Sequence, residues 1–132
     1  MKVLIADPDW QFSQRAVNYL ESLANMVSSQ PSASDAASTA EKWQPDMIII
    51  AAQYVDDGSV NLDELYELDS RPAVVLTEHM ARYDRAWRAW QKGGDELLMK
   101  PIFKTDELWS AVKAAMENAA TGQRLRRVAV SA

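Results

Sequence analysis

The sequence predicts one α/β domain in which a five-stranded parallel sheet is covered on both faces by five helices. Short apolar runs alternate with stretches whose apolar residues recur at helical spacing throughout the 132 residues. Several of these runs are apolar throughout, which is typical of strands buried on both faces of a parallel sheet. The length favours one domain over two and suffices for a sizeable core.

The first three predicted strands lie in the amino-terminal half. Residues 3–6 form an apolar run, residues 26–28 a weaker one, and residues 47–52 the strongest run in the chain. Asp9 is a candidate N-cap of the first helix, and Pro45 stops the second. The apolar face of the first helix comprises Phe12, Ala16, Tyr19, Leu20 and Leu23. The apolar stripe of the second comprises Ala36, Ala37, Ala40 and Trp43.

The fourth strand is predicted at residues 73–76 and the fifth at residues 97–99. Before the fourth strand, the loop at residues 56–58 leads to a short helix that Asn61 caps. Between the two strands, a fourth helix runs over residues 81–92. The inward side chains of the short helix are Leu62, Leu65 and Tyr66.

Helix-boundary signals complete the second half. Gly93 and Gly94 end the fourth helix. The fifth begins near Thr105 and carries Asp106 and Glu107 in its first turn, where the helix dipole favours acids. Its predicted buried face comprises Leu108, Trp109, Val112, Ala115 and Met116.

The composition excludes several kinds of site. There is no cysteine, which excludes disulfides, thiolate metal sites and cysteine nucleophiles. The apolar run at residues 3–5 is too short for a signal peptide, and no segment approaches the length of a membrane span. We therefore expect a cytoplasmic protein with no membrane partner.

The formal net charge of −5 is unevenly distributed. All 19 acidic residues precede residue 123, whereas Arg124, Arg126 and Arg127 lie in the last ten. Without these three of the 14 basic residues, 11 basic residues face 19 acidic ones, a net charge of −8, which argues against a nucleic-acid partner. We expect one domain over residues 1–120, followed by a basic tail or the start of a linker over residues 121–132.

In a doubly wound sheet, function gathers beyond the carboxyl ends of the strands, where the winding reverses. This location rule selects the candidate functional residues. The polar and small residues at the predicted strand ends are Asp7, Pro8, Asp9, Ala51, Ala52, Thr77, Glu78 and Lys100.

Four stretches, spread in order over about residues 2–119, carry a resemblance to a known family. They are Lys2-Val3-Leu4-Ile5-Ala6-Asp7, Pro45-Asp46-Met47-Ile48-Ile49-Ile50, Val75-Leu76-Thr77 and Gly93-Gly94-Asp95-Glu96-Leu97-Leu98-Met99-Lys100-Pro101. With these stretches the chain resembles the response-regulator receiver domains of two-component signalling. The resemblance implies a flavodoxin-like three-layer sandwich with strand order 2-1-3-4-5.

The resemblance also implies roles for the strand ends. Members of the family move a phosphoryl group from a histidine kinase to a carboxylate at the end of the third strand, beside Mg²⁺ held by two acids after the first. The resemblance assigns the phosphoryl-binding hydroxyl to Thr77, the charge-neutralising lysine to Lys100 and one metal-binding acid to Asp7. It further implies a cis peptide between Lys100 and Pro101.

At four positions the chain departs from this pattern. Family spacing puts the acceptor carboxylate at Ala51, whose methyl group is neither a nucleophile nor a metal ligand. Pro8 replaces the second metal-binding acid, so Asp7 is the one aligned ligand for an ion that requires near-octahedral oxygen coordination. Glu78 stands where the family has a small residue, and Leu97 replaces an aromatic one.

We therefore expect a degenerate pseudo-receiver with no catalytic residue and no cofactor. The vestigial phosphate pocket comprises Asp7, Asp9, Thr77, Glu78 and Lys100. We expect the Lys100 ammonium to pair with Asp7, Glu78 or both, because a half-buried lysine without a counter-charge is costly. Two alternatives stay open: phosphorylation at Asp56 or Asp57, and binding of a small ligand at the strand ends.

The predicted fourth helix is the candidate partner-binding element. Its basic residues, which fall within about 120° of arc, are Arg82, Arg85, Arg88 and Lys92. On an acidic protein such a stripe is a candidate site for a protein partner with an acidic surface. The opposite side chains, expected in the core, are Tyr83, Ala86, Trp87 and Trp90. The resemblance also implies that the face made by the predicted fourth helix, fifth strand and fifth helix is a homodimer or target surface. We expect His79, which follows Thr77 and Glu78, to be a loop residue.

Overall fold

The structure is a computed structural model that describes residues 1–124. Its parallel sheet has five strands in the order β2-β1-β3-β4-β5, as the resemblance implied. The strands are β1 (Lys2–Ala6), β2 (Met26–Ser29), β3 (Met47–Ala51), β4 (Ala73–His79) and β5 (Glu96–Lys100). The prediction of a doubly wound α/β domain is confirmed.

Residues 1–124 contain six α-helices rather than the predicted five. They are α1 (Trp10–Ser22), α2 (Ala33–Trp43), α3 (Ala52–Asp56), α4 (Leu62–Tyr66), α5 (Tyr83–Lys92) and α6 (Asp106–Thr121). A 3₁₀ turn, Met80–Arg82, precedes α5. The unpredicted helix is α3, whose five residues are too few for an apolar period to be visible in the sequence.

Two apolar layers sandwich the sheet. On one face, α1 and α6 bury Phe12 and Leu108 against Ile5 and Ile49 of the central strands. On the other face, α2, α3, α4 and α5 cover Ile48 and the remaining strand side chains. Because β1, β3 and β4 lie in the middle of the sheet, their apolar side chains are buried on both faces, which explains the continuous apolar runs at residues 3–6, 47–51 and 73–76.

Several side chains expected in the core are exposed. Leu23, Tyr83, Trp87 and Met116 have between 41% and 53% of their surface accessible. Leu23 is the C-cap residue of α1 and lies past its last packed turn. Tyr83 and Trp87 contact each other edge to face on the surface of α5, with ring centroids 5.8 Å apart. The spacing placed these residues on the right helices, but they lie at the margins of the buried stripes.

The residues after the predicted boundary at 120 still belong to the folded domain as far as the structure describes them. Helix α6 continues to Thr121. The Arg124 guanidinium lies 3.8 Å from the Trp90 ring centroid, and it donates hydrogen bonds to the carbonyls of Gly93 and Gly94 at 3.0 and 2.8 Å. The rest of the predicted basic tail, residues 125–132, lies outside the described residues.

No helix within residues 1–124 is long and apolar enough to cross a membrane. The peptide between Lys100 and Pro101 is cis, as the resemblance implied.

Candidate functional site

The parallel sheet brings the candidate residues to one edge. Ala51 at the end of β3 lies in register with Thr77 of β4. Asp7 follows β1 directly, and Lys100 ends β5. The side chains of Asp7, Thr77 and Lys100 are all buried. The sheet therefore brings together, at the carboxyl ends of its strands, the residues that the location rule selected from the sequence.

The Asp7 carboxylate is the centre of this cluster. Its Oδ2 accepts a hydrogen bond from the Thr77 hydroxyl at 2.6 Å and one from the Lys100 ammonium at 3.0 Å. Its Oδ1 accepts the backbone N–H of Asp9 at 2.9 Å. Because only 1% of the Asp7 side chain and 7% of the Lys100 side chain are accessible, this ion pair is shielded from water. The hydrogen bonds from Thr77 and Lys100 to Asp7 link the end of β1 to β4 and β5.

Asp9 supplies a second carboxylate to Lys100. Its Oδ2 lies 3.2 Å from the ammonium, while its Oδ1 accepts the Phe12 amide and caps α1. Burial raises the pKa of Asp9, but the Phe12 hydrogen bond and the Lys100 charge outweigh burial and hold it below its ordinary value. The His79 imidazole Nε2 lies 3.6 Å from the same Oδ2. The prediction that Lys100 pairs with Asp7 is confirmed, and its second partner is Asp9 rather than Glu78.

Glu78 pairs with Arg85 of α5. Its carboxylate accepts two hydrogen bonds from the Arg85 guanidinium, at 2.5 and 3.0 Å, and a third from the backbone N–H of His79. Burial raises the pKa of Glu78, yet the hydrogen bonds from Arg85 and His79 lower it more, so the net pKa is below its usual range. Glu78 therefore ties the end of β4 to α5.

Ala51 offers no chemistry to the cluster. Its side chain is a methyl group at the buried end of β3, and α3 begins at the next residue. The two loop acids considered as substitutes have other partners: Asp56 pairs with Arg88, and Asp57 accepts the Ser59 amide at 2.8 Å. Neither carboxylate has a hydrogen bond or ion pair with Asp7, Thr77 or Lys100 among the described contacts.

The donor set does not fit Mg²⁺, which requires about six oxygen ligands in octahedral geometry. Both Asp7 oxygens already accept hydrogen bonds, and the Lys100 ammonium stands 3.0 Å from one of them, where its positive charge opposes a cation. Ala51 and Pro8 supply no side-chain oxygen. Within residues 1–124, no three acidic or histidine side chains are grouped to hold a metal ion.

The predicted basic stripe is largely neutralised within the domain. Arg82 pairs with Asp84 at 3.2 Å. Arg88 pairs with Asp84 at 3.0 Å and, through two hydrogen bonds, with Asp56. The hydrogen bond from Arg88 holds the pKa of Asp56 below its ordinary value. Because these ion pairs are exposed, they neutralise the charge of Arg82 and Arg88 but add little to the stability of the domain.

Lys92, the last residue of the basic stripe, caps the carboxyl end of α3. The Lys92 ammonium donates to the carbonyls of Val55 and Asp56, at 3.2 and 2.8 Å, at the carboxyl end of that helix. Cations at this end are favoured by the helix dipole. Arg85, Arg88 and Lys92 thus join α5 to β4 and α3, whereas Arg82, in the 3₁₀ turn before α5, pairs with Asp84 of α5 itself.

The sequence alone missed two of these partnerships. Asp9 was placed as a helix cap, and its second oxygen reaches Lys100 only because β5 brings that residue across the sheet edge. Arg85 was assigned to a solvent-facing stripe, whereas the structure places its guanidinium against Glu78 at the end of β4. Both contacts depend on how α1 and α5 pack on the sheet, which a one-dimensional period does not encode.

No protein-family model matches the sequence, and no curated protein matches it either. The structure, in contrast, is similar to 142 solved chains. One is the signal receiver domain of a putative LuxO repressor protein from Vibrio parahaemolyticus, at 22% identity over 92% of this chain and 93% of that one, with a TM-score of 0.71.

Two further neighbours have comparable likeness. A response regulator receiver domain protein from Clostridium thermocellum has 19% identity, covers 92% of this chain and 98% of that one, and gives a TM-score of 0.71. An atypical orphan response regulator has 15% identity, covers 89% and 96%, and gives 0.73. At these identities the likeness concerns the fold. Residues 1–124 therefore have the fold of response-regulator receiver domains.

Proposed function

We propose that this chain is a non-catalytic signalling module of the receiver type, which acts through contact with a protein partner and does not depend on phosphorylation. The observation that carries the proposal is the pairing at Asp7. One carboxylate oxygen binds both the hydroxyl of Thr77 and the ammonium of Lys100, and the end of β3 presents only the methyl group of Ala51.

The charges at the strand ends also oppose phosphorylation. A phosphoryl group adds about 1.5 to 2 negative charges. It would lie near the carboxylates of Asp7 and Asp9, and the Lys100 ammonium that could offset it is already shared between them. Removing Lys100 from these partners would leave both carboxylates without this counter-charge, which is costly above all for the buried Asp7.

The same contacts favour a single arrangement of the surrounding surface. Lys100 and Thr77 hold the ends of β5 and β4 to β1, and Glu78 holds β4 to α5. A surface built on these elements needs no added group to set its shape. One structural neighbour, the atypical orphan response regulator, is described as having a phosphorylation-independent regulatory mechanism, which supports this kind of function on the same fold.

Nuclear magnetic resonance with a phosphoryl mimic tests the proposal. We expect the amide resonances of Thr77 and Lys100 to keep their positions when beryllofluoride and Mg²⁺ are added to the ¹⁵N-labelled chain. A receiver domain that retains its aspartate serves as the positive control for the reagent. Saturable shifts centred on these two residues would refute phosphorylation independence.

A further inference from the structure

The turn that follows α5 places three backbone carbonyls beside the Trp90 ring. Gly93 and Gly94 form this turn with φ angles of +144° and +101°, which favour glycine. A Cβ atom on either glycine would lie 2.9 Å from a side-chain carbon of Leu62 or Leu76, so the turn also packs too closely for a larger residue. The turn brings the carbonyl oxygens of Gly93 and Gly94 close to that of Trp90, near enough for all three to bind one guanidinium group.

Contacts from three other elements hold this turn in place. The Gly94 amide donates to the Tyr66 hydroxyl of α4 at 2.7 Å. On β4, the Val74 carbonyl accepts the Asp95 amide and the Val74 amide donates to the Asp95 carboxylate, both at 2.8 Å. The Asn118 side chain of α6 donates to the Asp95 carbonyl at 2.8 Å. The rest of the domain therefore positions these carbonyls, which makes the site preformed.

Arg124 occupies this site as a planar ligand. Its guanidinium carbon lies 3.8 Å from the Trp90 ring centroid, which is a stacking distance. Its Nε donates to the Gly94 carbonyl at 2.8 Å, and its Nη2 donates to the carbonyls of Gly93, at 3.0 Å, and of Trp90. Burial lowers the pKa of Arg124, and the charge of Asp95 acts in the opposite direction. The carboxyl end of α5 also favours a cation at this position.

The arrangement selects a guanidinium over an ammonium group. A guanidinium is flat, so it can stack on an indole face while it donates hydrogen bonds from its edge, whereas a lysine ammonium is a compact charge with no plane to stack. The unpaired carbonyls at a helix end accept either cation. Stacking on Trp90 together with three accepted hydrogen bonds indicates a site for guanidinium groups.

We propose that the turn after α5 is a guanidinium-binding site and that Arg124, its ligand within the same chain, tethers the chain beyond α6 to the carboxyl end of α5. Arg124 lies past Gly122, the C-cap of α6, so the contact fixes the path of the chain where it leaves that helix. While Arg124 occupies the site, no other guanidinium group can enter it. The site lies before the amino end of β5, away from the strand-end cluster, so the inference is independent of the proposed function.

A small guanidinium ligand tests the site in a full chain from which the tether is removed. The probe is ethylguanidinium, which corresponds to the part of the side chain that Arg124→Ala deletes, and its counterpart is ethylammonium. In the ¹⁵N-labelled variant, we expect ethylguanidinium to shift the Trp90 indole N–H and the amides of Gly93 and Gly94 saturably. The dissociation constant should be on the order of 1–10 mM for a ligand of this size. Ethylammonium should bind about tenfold more weakly or worse, and the wild-type chain should not respond, because Arg124 already fills the site.

Backbone relaxation tests the tether separately. In Arg124→Ala, the ¹⁵N heteronuclear Overhauser effects at the amides of Gly122 and Gln123 should fall, because the chain beyond α6 loses its contact with α5. Ethylguanidinium should fill the site without restoring the order of these two residues, because the added ligand is not joined to the chain. Arg82→Ala is the matched control, since it removes a guanidinium that pairs with the exposed Asp84 instead, and it should match the wild-type chain at these amides.

Several results would overturn the inference. The guanidinium site is refuted if Arg124→Ala shows no saturable shifts, if ethylammonium shifts the same resonances equally, or if the wild-type chain responds as the variant does. The tether is refuted if Gly122 and Gln123 stay ordered in the variant or regain their order with ethylguanidinium. If Arg124→Ala does not fold, Arg124→Lys takes its place, because lysine lacks the stacking plane. The beryllofluoride experiment reads Thr77 and Lys100, so its result bears on the proposed function alone.

Discussion

At the residue scale, the buried Asp7 carboxylate gives Thr77 a hydrogen-bond acceptor and Lys100 a counter-charge, as a bound anion would otherwise do. Each of these polar groups would be costly if buried without a partner, and the single Oδ2 of Asp7 satisfies both. The cluster therefore has a structural reason to be retained in a chain that has Ala51 at the end of β3.

Removing either charge of this pair should destabilise the domain strongly. We expect Asp7→Asn and Lys100→Met each to lower the free energy of unfolding by about 3–5 kcal/mol, because each leaves the other charge buried with weakened compensation. The double variant should lose less than the sum of the two. Urea denaturation of the four proteins measures this coupling, and additive losses would show that the two groups do not stabilise each other.

Glu78 gives the stability a specific dependence on pH. Its pKa is lower in the folded protein than in the unfolded chain, so the contribution of the Glu78–Arg85 pair is complete above about pH 4.3 and is lost as the pH falls through the folded-state pKa. Glu78→Gln should cost about 1–3 kcal/mol at neutral pH. It should also make the loss of stability in acid less steep.

Urea denaturation between pH 7 and pH 3 checks this expectation. Glu41→Gln, at an exposed position of α2, is the matched control and should follow the wild-type curve. A Glu78→Gln curve parallel to the wild-type curve across the acid range would show that the Arg85 contact does not lower the pKa of Glu78.

Sequence reasoning reached part of this residue-scale arrangement. The positions of Asp7, Thr77 and Lys100 follow from strand ends that any parallel sheet brings together, and the cost of burying Lys100 alone predicted its pairing with Asp7. The partners Asp9 and Arg85 were not predicted, because their contacts depend on the angles at which α1 and α5 cross the sheet.

At the element scale, α5 is joined to α3 and β4 by charged contacts as well as by apolar packing. The sequence predicted the helix and its basic stripe, but not the acids that neutralise it. Asp56 lies at the end of α3, a five-residue helix that the apolar pattern did not indicate. Once α3 is in place, Arg88 and Lys92 face its carboxyl end.

Lys92 should stabilise the carboxyl end of α3 through its hydrogen bonds to the carbonyls of Val55 and Asp56. We expect Lys92→Met to speed hydrogen exchange at the amides of Asp57 and Gly58 about three- to tenfold, which corresponds to the loss of ~1 kcal/mol of local hydrogen bonding. Lys113→Met, at an exposed position of α6, is the control. Equal exchange in the two variants would contradict a capping role for Lys92.

At the scale of the whole molecule, the sequence predicted nearly all of the architecture. Continuous apolar runs and helical stripes specify buried parallel strands and covering helices, and short right-handed crossovers restrict how they connect. The strand order came from the resemblance.

Mg²⁺ should not stabilise the folded chain. A ligand that binds only the folded state raises stability by about 2.7 kcal/mol at a hundred times its dissociation constant. We expect the melting temperature to stay the same in millimolar Mg²⁺, because Asp7 is engaged by Thr77 and Lys100 and Ala51 adds no ligand. A rise that depends on Mg²⁺ concentration and disappears in Asp7→Asn would contradict this expectation.

The intact mass of the full chain after incubation with Mg²⁺ and acetyl phosphate tests most directly whether the strand-end site lacks a phosphoacceptor. A receiver domain that retains its aspartate confirms that the reagent is active. We predict that the mass of this chain stays unchanged. A gain of one phosphoryl group, above all one that maps to Asp56 or Asp57, would contradict the account.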